Sequence, residues 1–317
     1  MLFIMLFHVD LARSDAFFGL RRMGNIGVDM FLFLSGIGLW FSWAKNPSVK
    51  RFYFRRFVRI YPAWLIIAAL FYLPKFHGGS AWSWIDLIGE LGFNWEFWLR
   101  DELNFWYIPA IMMLYLFAPP YMELIRRHPI YRWLPVVMVM WCILVQWVTP
   151  INHAVGHLEI FWSRVPIFFI GINMGEMVRR KQTVDGQGIW MIFLMFVMAL
   201  ASSVFLEQEK HGLFPLFIER MLYIPLTVTA ILILNRVFRR LPAKVNGCFR
   251  FVGGLSLECY LIHQHFVLAY IPKTLSYWPT FLLCLVITLP LAWVLQKVTQ
   301  VIQNVVEKRF QRTQTEK

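Results

Sequence analysis

The chain has 317 residues, of which 59% are hydrophobic and only 15% charged, with 30 Phe and 15 Trp. A soluble domain is nearer half apolar and a quarter charged, so this balance excludes an ordinary water-soluble fold. The net charge of +13 would suit a nucleic-acid partner, but the basic residues are confined to alternate connections between apolar runs, which is a membrane-topology pattern and points to no nucleic acid.

Apolar runs near 20 residues recur along the chain, each long enough to cross a hydrocarbon core of about 30 Å. They predict spans over 1–9, 27–44, 57–74, 105–124, 133–149, 160–178, 188–206, 216–235, 252–271 and 279–301, an all-α polytopic transmembrane helical bundle of about ten spans. The first run is short. Seven residues precede His8 where a crossing needs about 20. Either the helix is truncated or the true start lies upstream, and the second is favoured. No cleavable signal peptide is visible, so this span would itself be the targeting signal. The loops after spans 2, 4, 6 and 8 and the tail carry about three basic residues for each one in the alternate loops, Lys50, Arg126, Arg179 and Arg239 among them. That bias places both termini in the cytoplasm.

The segment 75–104 is the longest outer connection. Its Trp82, Trp84, Trp95 and Trp98 suggest a helix lying in the membrane interface. No internal repeat and no appended soluble domain are visible, so 1–317 reads as a single integral membrane domain. Residues 302–317, with Lys308, Arg309, Arg312 and Lys317, read as a cytoplasmic basic tail against lipid headgroups. Cys142, Cys248, Cys259 and Cys284 are scattered, with neither disulfide nor metal spacing. His153 and His157 lie four apart, but with only Glu159 as a third donor and Gly156 between them they read as loop, and no metal site is expected.

Orientation sorts the ionisable groups by depth. His8, Asp10, Asp29, Trp106, Tyr107 and Arg164 fall near the outer face. Arg55, Arg56 and Arg59 sit at the cytoplasmic mouth of span 3. Ser256 and Glu258 fall in the inner half of span 9, with His263 near mid-depth. A purely structural bundle has little reason to carry so many ionisable groups in its spans, whereas a protein connecting the two sides does. Arg56 and Arg59 are three apart and share a helix face, a patch whose guanidinium forks match phosphate oxygens. The topogenic role explains Lys45, Lys50 and Arg51, but not Arg59 inside the helix ahead of Pro62. His8 could take a proton from a hydroxyl, oriented by Asp10 or Asp29. Glu258 and His263 read first as interhelical hydrogen-bonding groups. Gly27, Gly36 and Gly38 read as close-packing positions rather than a ligand site.

In order, these residues resemble the acyltransferase 3 family, integral membrane enzymes that O-acylate bacterial surface carbohydrates. The likeness covers nearly the whole chain. It rests on His8 ending the first span, Gly27-Val28 through Phe31 to Ser35-Gly36 in the second, Arg56, Arg59 and Pro62 in the third, the outer pair Trp106–Tyr107, and Ser256, Tyr260, Leu261 and His263 late in the chain. The family's first span has a longer apolar segment preceded by charges, which are missing here, and the esterase-like domain of some relatives is not present.

The resemblance implies a stand-alone O-acyltransferase, most commonly an O-acetyltransferase, of the bacterial inner membrane. It implies no bound cofactor and a cytoplasmic acyl-CoA, typically acetyl-CoA, as co-substrate. His8 would be the catalytic residue, with Asp10 and Asp29 near it, and Arg56 and Arg59 would bind donor. Trp106, Tyr107, Arg164, Ser256, Glu258, Tyr260 and His263 would line a pore or meet the acceptor. The partners expected are a carbohydrate or lipid-linked glycan and membrane lipids. Two other readings fit the polar path: a polysaccharide exporter or flippase, and a non-catalytic subunit of a polysaccharide synthase.

Overall fold

The computed structural model describes residues 1–182 and 184–315; it is 81% helical, with no strand among the described residues. The early helices are α1 (Leu2–His8), α2 (Phe18–Arg22), α3 (Ile26–Lys45), α4 (Val49–Tyr72), α5 (Ala81–Phe93) and α6 (Glu96–Leu99). Next come α7 (Tyr107–Arg127), α8 (Leu134–Trp147), α9 (Thr149–Val155), α10 (Val165–Arg179), α11 (Gly186–Glu209) and α12 (Leu216–Phe238). The last are α13 (Ala243–Gly254), α14 (Ser256–Ile262) and α15 (Tyr277–Thr315).

Among the described residues, seven helical stretches are long and apolar enough to cross a membrane: those containing α3, α4, α7, α8, α11, α12 and α15. The predicted spans 1, 6 and 9 correspond to α1, with 7 residues, α10, with 15, and a run broken into α13, α14, a π-turn at His263–Val267 and a 3₁₀ turn. The break follows Gly253 and Gly254, both weak helix formers. Membrane character shows in what the surface carries: Trp190, Met191, Leu194 and Met198 are exposed along α11 while Asp29, Arg164 and Glu258 are buried. The protein is an integral membrane helical bundle.

Two helices depart from their predicted bounds. α4 starts at Val49 rather than 57, because Ser48 caps it, its Oγ accepting from the Arg51 amide at 3.4 Å. Arg55 and Arg56 therefore lie inside the helix with Arg59 rather than at its mouth. α15 runs to Thr315 rather than 301, since residues 302–315 hold no Gly or Pro to stop it. Much of the expected tail is thus a continuation of the last helix; Lys317 lies outside the described residues. His153 stands in the last turn of α9 rather than in a loop, with His157 beyond its end.

The chain divides into two compact units, one of 1–47 with 116–249, the other of 48–115 with 250–317. In the first, α3 packs along α10, and α12 lies against α3 and α11. The α3–α10 approach is backbone to backbone: a Cβ on Gly36 would collide with the Phe168 carbonyl, and one on Gly171 with that of Phe33. Gly38 faces open space, so close packing accounts for Gly36 and not for Gly38. Gly36→Leu is expected to cost about 1–3 kcal/mol or more by forcing the helices apart, with Gly38→Leu near neutral. Thermal unfolding in detergent checks this.

In the second unit, α4 packs against α5, α14 and α15. Asp86 and Glu96 pair with Arg100, at 2.8 and 3.1 Å. The Tyr72 hydroxyl donates to Asn94 Oδ1 at 2.8 Å, and the Trp64 indole N–H donates to the Leu91 carbonyl at 3.0 Å, tying α5 to α4. Trp82 and Trp84 of α5 are exposed, as interfacial rings would be. Burial, and then the neighbouring Glu96, push the Glu90 carboxyl up to about 7. A raised carboxyl pKa gives stability at low pH that is lost as pH rises through about 7. The melting temperature is therefore expected to fall from pH 5 to 8, and Glu90→Gln is expected to flatten that slope.

Candidate active site

In the first unit, α1 ends on His8. Nδ1 lies 2.9 Å from the Ile4 carbonyl oxygen one turn back. A carbonyl can only accept, so Nδ1 carries a proton and, in the neutral ring, Nε2 is the nitrogen that can take one up. The ring stands edge-on to Phe7, with centroids 5.2 Å apart. Arg21 Nε donates to the Val9 carbonyl at 2.9 Å and fixes the chain just past the histidine. Asp10 points into solvent, its side chain 99% exposed, with Arg21 at 3.9 Å.

Asp29 is engaged elsewhere. It is buried in the first turn of α3, and its Oδ2 accepts from Arg164 Nε at 3.4 Å. Arg164 also donates to Asn25 Oδ1 at 3.0 Å and to the Ile160 carbonyl at 2.7 Å. Both members are nearly inaccessible, so removing either would strand a buried charge, a loss typically of about 3–5 kcal/mol. The structure thus joins two expected site residues, Asp29 and Arg164, to each other.

Charged residues that sequence reasoning passed over lie in the same unit. Glu207, near the end of α11, accepts from Arg22 Nε at 3.1 Å and pairs with His211 Nδ1 at 3.0 Å. Glu219 and Arg220, in the first turns of α12, are both buried. The signal was available: a Glu-Arg pair inside an apolar run is as costly in lipid as Asp29.

The second unit collects the remaining candidates. Arg56 and Arg59 stand on α4, where Pro62 cannot donate to the Val58 carbonyl one turn before it. Arg59 Nη1 reaches Glu258 Oε1 at 3.3 Å, and Nη2 reaches the Gly254 carbonyl at 3.3 Å, an acceptor left over at the end of α13. The Arg59 side chain remains 40% exposed, so part of its fork faces outward while Glu258 is sealed. Arg56 lies 6.0 Å from the Phe52 ring and 5.9 Å from the Tyr115 ring, and its buried Nε has no hydrogen-bond partner among the described residues.

Tyr260 accepts from the Tyr107 amide at 3.1 Å, with their rings 5.3 Å apart, and Trp106 stands edge-on to Tyr107. Ser256 opens α14. His263 is fully buried at the start of the π-turn, its Nδ1 3.0 Å from the carbonyls of both Cys259 and Tyr260. π-turns of this kind recur at functional sites.

A bundle of apolar helices that buries ion pairs such as Asp29 with Arg164 defines an integral membrane protein with polar groups held inside its helices. Comparison with known sequences makes the class specific. The family model of acyltransferase 3, described as an acyltransferase domain, matches residues 1–297, and the chain belongs to that family. A curated relative, acyltransferase MdmB of Streptomyces mycarofaciens, is 29% identical over 150 residues, which cover 43% of this chain and 36% of that protein. The similar stretch is thus about a third of that relative's length. No solved structure matches.

Proposed function

We propose that the protein is an O-acyltransferase of the bacterial cytoplasmic membrane, with both termini in the cytoplasm. It takes an acyl group, acetyl in the simplest case, from cytoplasmic acyl-CoA and places it on a hydroxyl of a surface glycan or its lipid-linked precursor. Membership of the acyltransferase family supports the reaction class. The observation that carries the donor assignment is the arginine face of α4: Arg59 aimed by Glu258 and Gly254, and Arg56 with an unpartnered Nε. Guanidinium forks of this kind take phosphate oxygens in pairs, and the nucleotide end of CoA is rich in them.

His8 Nε2 takes the proton of the acceptor hydroxyl as its oxygen attacks the thioester carbonyl. The C–S bond then breaks, and the CoA thiolate leaves with a proton returned by the imidazolium. General-base help of this kind is worth about 10²- to 10⁴-fold. The aromatic group of Trp106, Tyr107 and Tyr260, with Ser256 and His263, suits the acyl arm or the acceptor.

The test is CoA release from labelled acetyl-CoA by the purified protein in liposomes that contain membrane glycan. Release coupled to labelled glycan supports the enzyme. Glycan movement with no CoA release and no acetyl-CoA binding would favour an exporter, and neither movement nor release a non-catalytic subunit.

A further inference from the structure

The charged cluster of the first unit is not fully used by its own partners. Asp29 and Arg164 hold each other, and Glu207 is taken by Arg22, by His211 and by a hydrogen bond shared with Glu219. Glu219 and Arg220 are left with capacity to spare. Arg220 is 5% exposed and Glu219 is 4% exposed. Nε and Nη1 of Arg220 and Oε2 of Glu219 have no hydrogen-bond partner among the described residues. A buried donor or acceptor left unpaired is costly, and three on adjacent residues call for an occupant. The Arg220 guanidinium lies 5.1 Å from the Tyr223 ring centroid, which gives the place an aromatic wall.

We infer that Arg220 and Glu219 form a carbohydrate hydroxyl site, in which Arg220 donates to one sugar oxygen and Glu219 accepts from a neighbouring hydroxyl. The unused groups decide the ligand class. They are guanidinium N–H donors beside a carboxyl oxygen with no partner among the described residues, and a vicinal diol satisfies both at once. A phosphate would satisfy Arg220 but meet the Glu219 carboxyl oxygen with another acceptor. The site belongs to the same unit as His8 and is tied to it by short links: Arg21 to the Val9 carbonyl at 2.9 Å, and the adjacent Arg22 to Glu207 at 3.1 Å. This inference rests on the acyl-transfer reading, since it makes the bound sugar the acceptor.

The test uses the full chain in liposomes. The probes are oligosaccharides released by mild acid from the surface glycan of the producing cells, and inorganic phosphate. Hydrogen exchange of the amides around 216–223 is read with each probe. The sugars are expected to slow exchange in the wild type, and Arg220→Gln and Glu219→Gln are each expected to weaken that binding at least tenfold. Acetyl-CoA affinity in the same samples reports that the variants remain folded; should one lose it, the other decides. Protection by phosphate but not by sugar, protection by neither, or sugar affinity unchanged in a folded variant would overturn the proposal. Sugar binding is measured without turnover, so a wild type that binds sugar but releases no CoA would fail the acyl-transfer reading alone.

Discussion

His8→Ala is expected to lower acyl transfer by about 10²- to 10⁴-fold while leaving acetyl-CoA affinity within twofold of the wild type. The reason is chemical. The hydroxyl of a sugar is a poor nucleophile until its proton has somewhere to go, and Nε2 of the tautomer fixed by the Ile4 carbonyl provides that place. His8→Gln should not rescue the rate, because an amide can donate or accept a hydrogen bond but cannot take up a proton near neutral pH. His8 belongs to the first unit and the arginine face of α4 to the second, so donor binding should survive. Turnover measured beside donor affinity checks both halves. A variant that kept the wild-type rate would remove His8 from the chemistry.

Arg59→Ala is expected to weaken acetyl-CoA binding by roughly 10- to 150-fold, the worth of one charged hydrogen-bonding group at about 1.5–3 kcal/mol. Arg59→Lys should recover only part of this, since an ammonium keeps the charge and loses the fork. The residue also neutralises a neighbour. Glu258 is fully buried against it, so truncation strands a carboxylate and should destabilise the protein as well. The double variant Arg59→Ala with Glu258→Gln separates the effects. It should regain thermal stability while donor affinity stays low. Recovery of both would make Arg59 a structural partner of Glu258 and nothing more.

How much of this was legible in the sequence depended on the kind of information. Run length and loop charge are local, so the helical membrane fold and most of the long helices could be read directly. The caps that fix the limits are finer signals. Ser48 moved the start of α4 by two turns and put Arg55 and Arg56, like Arg59, inside the helix. The absence of a stop signal extended α15. Partnerships between distant residues were the least legible. Arg59 with Glu258, Asp29 with Arg164, and Arg22 with Glu207 each join positions more than 130 residues apart. Each member was visible as a charge near or within an apolar run, but depth alone does not choose partners. Glu219 and Arg220 are adjacent and lie near the start of the 216–235 run, where a charge is as compatible with a helix end at the membrane surface as with a buried site. The family motifs pointed to His8, Arg56 and Arg59 and said nothing of the cluster around Arg220.

The most direct measurement of the central claim is sided transfer. Everted and right-side-out membrane vesicles carrying the protein and its own glycan would be given labelled acetyl-CoA from outside. Alkali-labile label should enter the glycan in everted vesicles, where the donor meets the cytoplasmic face, and be absent from right-side-out ones. Label entering only in right-side-out vesicles, or CoA release with no label reaching glycan in either, would contradict transfer from a cytoplasmic donor to a surface hydroxyl.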